Sequence, residues 1–351
     1  MPSTIPIENL YYLFSYAWDH FHEGEEMDIS STQCPDLANL LTKVLAAGIH
    51  RLARSGFERS YRSTEEITPR LRGRILVAES YRYMTQRSGR MKCEFDELSW
   101  DTAANRILRA TTDRLLRLPE LTQESRHNLR TARSLMPKVT PIRITDSAFR
   151  RIQLHRNSRR YRLLLNVCKL VHQSFLPEEQ KGGRRFRDIL RDETIMHSLF
   201  ENFVRNFARR HCAGSTVAAM TINWQGEWDI EAAKLLPSMK TDVTIEWPHR
   251  KLILDCKFYK DALSARYDRL RFHSAHLYQL NAYLQNKSRS PGWENVEGIL
   301  LYPTVEHYIS AEMKLLGHRM QVASINLKQD WQRIHQDLLA ILAPVDARNP
   351  A

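Results

Sequence analysis

The stretch from Thr241 to Lys260, Thr-Asp-Val-Thr-Ile-Glu-Trp-Pro-His-Arg-Lys-Leu-Ile-Leu-Asp-Cys-Lys-Phe-Tyr-Lys, constrains the fold more than any other part of the chain. Val243, Ile245, Leu252, Ile253 and Leu254 supply β-favouring content on either side of Trp247-Pro248-His249-Arg250, which supplies a break. The pattern predicts two antiparallel strands. Centring the turn between Pro248 and His249 sets Val243 across from Leu254 and Asp242 across from Asp255. Directly opposed side chains in such a pair stand about 5 Å apart, where like charges repel. Two carboxylates so placed favour a cation between them. Lys257, two residues beyond Asp255, projects from the same face of its strand. Carboxylate, carboxylate and ammonium on one face suit a divalent-metal phosphodiesterase centre.

The rest of the chain must support that hairpin. Its 351 residues suffice for two ordinary domains, each with a core of its own, and 42% apolar content argues against disorder. Formal net charge is +12, and the sequence pI is about 9.6. Such a balance favours a polyanionic partner, nucleic acid before an anionic membrane. The most apolar run, residues 37–49, is short and interrupted by Asn39, Thr42 and Lys43, so no membrane span is predicted. No basic and apolar leader opens the chain. Cys34, Cys93, Cys168, Cys212 and Cys256 form no C-x-x-C pair, a pattern of reduced thiols that predicts a cytoplasmic protein without a zinc knuckle.

Taken in order, Pro6 followed by Ile7, Leu10, Tyr11, Phe14, Trp18 and Phe21 predicts an aromatic helix over 5–21. A second helix is predicted over 34–54 and is stopped by Gly56. Strand-like text follows at 57–61, 69–77 and 92–95, with a short helix at 78–85. Asp101 reads as the N-cap of a helix through Leu118, and helical text recurs at 126–136. A basic stretch, Arg150-Arg151, His155-Arg156 and Arg159-Arg160-Tyr161-Arg162, is either a phosphate-contacting surface or a solvated helix face. The domain boundary is placed near residue 155, giving a mixed α+β domain over 1–155 and a second domain over 156–351. In the latter, helices are predicted at 163–175, 193–210, 274–284 and 330–342, with strands at 220–224, 298–302 and 320–327 around the hairpin. That order gives an α/β core with mixed strand directions. Lys181-Gly-Gly-Arg-Arg-Phe-Arg187 reads as a cationic loop.

Asp242, Asp255 and Lys257, with Glu201 on the preceding helix and Gln279-Leu-Asn-Ala-Tyr283 on the following one, resemble the PD-(D/E)xK nuclease superfamily and the Gln-x-x-x-Tyr motif of its exonuclease-like branch. A closer resemblance, to the McrC family of nuclease subunits, spans nearly the whole chain. It is carried by residues 5–18, Leu71-Arg-Gly-Arg-Ile75, residues 95–108, the hairpin, and His276-Leu-Tyr-Gln-Leu-Asn-Ala-Tyr283.

The resemblance implies a restriction-endonuclease-like domain, a mixed sheet flanked by helices, that cuts DNA within a 5-methylcytosine-dependent restriction complex. Asp242 and Asp255 are hard oxygen ligands suited to Mg²⁺, with the Cys256 carbonyl as a further ligand. Lys257 orients or deprotonates the attacking water, or neutralises the phosphate. Glu201 completes the metal shell through water, while Gln279 and Tyr283 position DNA or the lysine. Tyr283, Lys260, Arg184, Arg185 and Arg187 are the candidate DNA contacts. The implied partners are methylated double-stranded DNA and a McrB-like AAA+ GTPase hexamer, which the N-terminal domain would bind and stimulate. The aromatic helix at 7–21 is either core or part of that contact surface. No G-x-x-x-x-G-K-[ST] loop is present, so the chain is expected to bind no nucleotide itself. Two other readings remain: a motor-independent nuclease of DNA repair or transposon-end cutting, and a non-catalytic AAA+ regulator.

Overall fold

The computed structural model describes residues 5–18, 34–152, 159–177, 184–186, 192–258, 263–266, 269–304 and 308–343. They fall into two compact units, Met1–Pro35 with Asp188–Ala351, and Asp36–Arg187. The boundary expected near residue 155 lies inside the second of these. The chain begins in the first unit with α1 (Ile7–Ala17), passes into the second, and returns.

Residues 36–187 form a mixed α+β unit. Asp36 caps α2 (Leu37–Ser55) by accepting the Asn39 N–H at 2.9 Å, and Gly56 ends the helix at φ 90, a conformation glycine tolerates best. β1 (Ser60–Thr68), β2 (Arg74–Ile75) and β3 (Met91–Ser99) form an antiparallel sheet in the order β1-β3-β2, with α3 (Val77–Arg82) in the connection. α4 (Ala103–Leu115), α5 (Gln123–Ser134), α6 (Asp146–Arg150) and α7 (Arg159–Ser174) follow, and α2 packs against α4, α5 and α7. Leu40, Leu41, Leu45, Ile49, Ile107, Leu108, Val167 and Cys168 are buried there, as the helical spacing of the apolar residues dictates. β4 (Phe175–Pro177) and β5 (Arg184–Phe186) pair as a two-stranded ribbon.

The cap of α4 differs from expectation. It is Thr102, whose hydroxyl accepts the Asn105 N–H at 3.2 Å. Asp101 sits one residue too early and instead accepts from Arg106 Nε at 2.7 Å, Arg106 Nη2 at 2.6 Å and the Thr140 N–H at 2.7 Å.

The returning chain opens with α8 (Glu193–His211), β6 (Thr216–Ala218), β7 (Thr221–Ile222), α9 (Ile230–Leu235) and β8 (Met239–Lys240). β9 (Val243–Glu246) and β10 (Lys251–Cys256) are the predicted hairpin, followed by the ribbon of β11 (Leu263–Arg266) and β12 (Arg269–Phe272). Then come α10 (Ser274–Lys287), β13 (Glu297–Thr304), β14 (Ser310–Leu315), β15 (His318–Asn326) and α11 (Trp331–Leu342). A six-stranded sheet runs β14-β15-β13-β10-β9-β6, parallel at β10/β13 and β13/β15 and antiparallel elsewhere. α10 is the crossover between parallel strands β10 and β13, the connection that parallel pairing requires. The strand expected at 220–224 does not join this sheet. β6 occupies that edge of β9, and Thr221–Ile222 pairs with Met239–Lys240 instead.

α1 belongs to the core of this unit. Tyr12 and Tyr16 stand edge-on to Phe203 of α8, with ring centroids 5.7 and 5.8 Å away. Asn9 donates to the carbonyls of Leu327 and Gln329, both at 2.7 Å, and Asn206 of α8 donates to the Tyr16 carbonyl at 2.9 Å. Of its two sequence readings, core and contact surface, α1 takes the first, with Leu10, Tyr12, Leu13, Phe14 and Tyr16 buried. Among the described residues no helix is long and apolar enough to cross a membrane.

Candidate active site

The hairpin adopts the predicted register: Lys251 faces Glu246, Leu252 faces Ile245, and Leu254 faces Val243. The Trp247 N–H donates to the Arg250 carbonyl at 2.9 Å and closes the turn. Asp242 lies one residue before β9, and its Oδ2 accepts the Cys256 N–H at 2.7 Å, so a side chain continues the ladder where the backbone pairing stops. Asp255 is fully buried on β10, and Lys257 Nζ lies 2.9 Å from its Oδ2.

A hydrogen-bond chain runs outward from the lysine. Lys257 Nζ donates to Gln279 Oε1 at 2.8 Å, Gln279 Nε2 donates to the Tyr283 hydroxyl at 2.7 Å, and that hydroxyl donates to the Lys240 carbonyl at 3.1 Å. Gln279 and Tyr283 are one turn apart on α10, which is why both reach the same side of the sheet. Tyr283 is buried and held within the protein, an arrangement that suits placing the lysine rather than touching DNA.

α8 supplies the other wall. His197, Glu201 and Arg205 are spaced by four, so they share one face of the helix. His197 Nε2 lies 3.0 Å from Glu201 Oε1, and Arg205 Nη2 lies 3.8 Å from Glu201 Oε2. Arg205 Nε also donates to the Asp242 carbonyl at 2.8 Å, and its Nη1 to Asn202 Oδ1 at 3.0 Å. His197, Glu201 and Asp242 each offer a ligand atom within 4.8 Å of the others. The sequence reading missed both His197 and Arg205. The four-residue spacing from Glu201 was the available signal, and it is a common one on amphipathic helices.

Three carboxyls crowd a water-poor space, and their acidities show it. Burial, with the Asp242 charge adding to it, pushes Glu201 up to about 7. Burial likewise raises Asp255 to about 7, against the pull of Lys257. Burial raises Asp242 too, opposed by the Cys256 N–H and by Lys257. Burial alone would lower the Lys257 ammonium, but Asp255, Asp242 and Tyr283 together outweigh that and raise it.

The donor set fits a hard divalent cation. Among the described residues, neither carboxylate oxygen of the fully buried Asp255 has a formed hydrogen bond, and Oδ2 is met only by the ion pair with Lys257 Nζ at 2.9 Å. Nδ1 of His197 is also buried without a partner. Such groups are costly unless something binds them. Carboxylate oxygens are the ligands Mg²⁺ takes. The Cys256 thiol is fully buried, and that burial pushes its pKa well up. Among the proposed DNA contacts, Lys260 and Arg187 lie outside the described residues, and Arg184 and Arg185 fall on β5, where the backbone alone is described.

A six-stranded mixed sheet flanked by helices, with the Asp…Asp-x-Lys hairpin at its centre, is the α/β architecture expected of this part of the chain. It shares its fold with McrC bound to McrB AAA+ hexamers in a tetradecameric assembly from Thermococcus gammatolerans, at a TM-score of 0.55 and 18% identity over 96% of this chain and 76% of that one. The chain is 33% identical over 339 residues to the Type IV methyl-directed restriction enzyme EcoKMcrBC of Escherichia coli (strain K12), spanning 96% of this chain and 97% of that protein. A sequence model described as McrBC 5-methylcytosine restriction system component matches residues 7–303. By both the extent of that match and the identity to the Escherichia coli protein, the chain belongs to the McrBC 5-methylcytosine restriction system component family.

Proposed function

We propose that the chain is the DNA-cutting subunit of a modification-dependent restriction complex, acting with a McrB-like AAA+ GTPase hexamer on methylated double-stranded DNA. The observation that carries this reading is the fully buried Asp255, its oxygens without a formed hydrogen bond among the described residues, beside Asp242 and Lys257 on one face of the hairpin. A fully buried carboxylate met by one ammonium only is costly in a purely structural hairpin and useful in a metal site. A non-catalytic regulator has no physical need of it.

Asp242 and Asp255 would hold Mg²⁺, with the Cys256 carbonyl as a main-chain ligand and Glu201 and His197 on the side of α8. When bound, the metal supplies Lewis-acid stabilisation of the phosphate charge and a more acidic water. The chain's own groups do the rest. Lys257 is flanked by Asp255, its ion-pair partner, and by Gln279, its hydrogen-bond acceptor, and both favour its ammonium form. In that form it presents positive charge to the scissile phosphate and orients the attacking water. Gln279 and Tyr283 fix where the ammonium points, and Arg205 fixes the backbone from which Asp242 projects.

Engagement of the motor falls to the N-terminal part of the chain. In its support, Tyr61, Leu71, Tyr81, Tyr83, Met84 and Leu98 are exposed on or between β1 and β3. Large apolar side chains exposed together mark protein contacts. The mixture of this chain, its AAA+ partner and GTP is expected to cut methylated DNA with Mg²⁺ and to stop when the metal is chelated. Robust cutting of unmodified DNA by the isolated chain would instead support a motor-independent nuclease.

A further inference from the structure

Arg150 and Arg162, from the basic stretch that the hairpin chemistry leaves unused, line a cavity. α6 and α7 line this open cavity of about 580 Å³ with Arg150, Arg162, Asn166, Lys169, Gln173 and Asp146. Arg162, Asn166, Lys169 and Gln173 follow one another at spacings of four, three and four, so they share one face of α7. That face is solvent-exposed at Arg162, Lys169 and Gln173, and Arg150 faces it from α6. Neither Arg150 nor Lys169 has a carboxylate within ion-pair distance among the described residues. Asp146, the one acid of the lining, lies 3.6 Å from Nε2 of His172, whose Nδ1 is 3.3 Å from Arg114 Nη1. The Asp146 side chain stays largely exposed, so the lining sets one acid against three cations. Phe149 packs on the His172 ring, with centroids 5.8 Å apart, and gives the cavity a fixed wall.

We propose that this cleft is a second DNA contact of the chain, one that binds the phosphodiester backbone without reading sequence. Three cations converge on an open cavity with two amide side chains between them, the donor set that phosphate oxygens take. Arg162 to Lys169 spans about 10 Å of helix, the axial rise of roughly three nucleotides of one strand. The cleft's lining has no glycine-rich phosphate loop, and Phe149, Ile152 and Leu165 supply its apolar part; its three cations along an open face suit a continuous polyanion. It is carried by the unit of residues 36–187, not by the unit that bears the hairpin. The inference rests on the reading that the chain acts on DNA. It adds that the chain holds the substrate at a place where no cutting occurs.

The test uses the full chain with Ca²⁺ in place of Mg²⁺ and a fluorescent 30-base-pair duplex, with affinity measured against salt. Reversing Arg150→Glu and Lys169→Glu together is expected to weaken binding at least tenfold at low salt. It should also reduce the slope of log K against log salt by about 1.8, near 0.9 for each phosphate that is no longer neutralised. Arg54→Glu with Arg130→Glu, an exposed pair outside the cleft, changes net charge equally and should leave most of the slope in place. Equal weakening in the two double variants, or none in the first, would overturn the proposal. So would unchanged DNA affinity together with failure to stimulate the partner's GTP hydrolysis, which would assign the cleft to an acidic protein surface. These outcomes leave Mg²⁺-dependent cutting by the assembled complex intact. Absence of that cutting would count against the nuclease reading itself.

Discussion

Oδ2 of Asp242 accepts the main-chain N–H of Cys256 at 2.7 Å, which ties the two candidate metal-binding strands together through a ligand rather than through the ladder. Structure and chemistry at this residue should therefore separate by substitution. Asp242→Asn keeps an oxygen acceptor and loses the charge, so it is expected to fold with little change in Tm while losing Mg²⁺ binding in calorimetric titration. Asp242→Ala also leaves a buried N–H unpaired and should cost a further 1–3 kcal/mol or so in denaturant unfolding. Equal stability of the two variants would remove the structural half of this assignment.

The chain from Lys257 through Gln279 to Tyr283 predicts a graded loss. Gln279→Ala removes the acceptor that aims the ammonium and should lower kcat of the assembled complex about 10- to 100-fold, the scale on which misplacing a catalytic group acts. Tyr283→Phe leaves Gln279 in place and deletes only the anchor to the Lys240 carbonyl, so its loss should be smaller. On the reading that both residues act through the lysine, KM for DNA should stay unchanged in both variants.

Arg205 touches the Asp242 carbonyl, Asn202 and Glu201 together, which a lysine ammonium at the same place cannot do. Arg205→Lys preserves charge but not the fork, and is expected to weaken metal binding about 10-fold, the usual cost of losing a group that orients a ligand. Thermal-shift titration with Mg²⁺ or Mn²⁺ reads this without reference to cleavage. Unaltered metal affinity would reduce Arg205 to a structural tie.

Asp101 gives a pH dependence with a definite sign. Hydrogen bonds from Arg106 first, then from Thr140, hold its carboxyl well below the usual carboxylate range, although burial opposes them. A depressed folded-state value contributes stability above the unfolded value of about 3.9, and that contribution fades as pH falls below it. Hydrogen exchange at the Thr140 amide, which Asp101 accepts at 2.7 Å, should therefore keep its protection through about pH 4 and lose it only on stronger acidification, as the depressed folded-state value is approached. In Asp101→Asn the amide should exchange faster at neutral pH and change little with acid.

How much of this could be read in the sequence depended on the range of the interactions. The β9–β10 register was legible because alternating apolar residues flank a Pro-containing turn, and a one-residue slip would have turned every side chain over. β14 was not. Its residues are mostly exposed and polar, and it exists by pairing with β15 across a turn in which Leu316 (φ 47) and Gly317 (φ 91) both take positive φ. Leucine in that conformation defeats any rule based on turn residues. The place of α1 was hidden for another reason. Its aromatic stripe declares that one face is buried, but the partner, α8, lies nearly two hundred residues later. Likewise Asp242, Asp255 and Lys257 lie within sixteen residues of one another and announced themselves, whereas His197 and Arg205 became visible only once α8 was laid beside the hairpin.

The division of labour within the complex is tested most directly by Asp255→Ala in the reconstituted mixture of chain, AAA+ partner, GTP and methylated DNA. Substituting the fully buried carboxylate should abolish Mg²⁺-dependent cutting while stimulation of the partner's GTP hydrolysis stays at the level of the unaltered chain. Continued cutting, or loss of both activities in a variant that remains folded, would contradict the account.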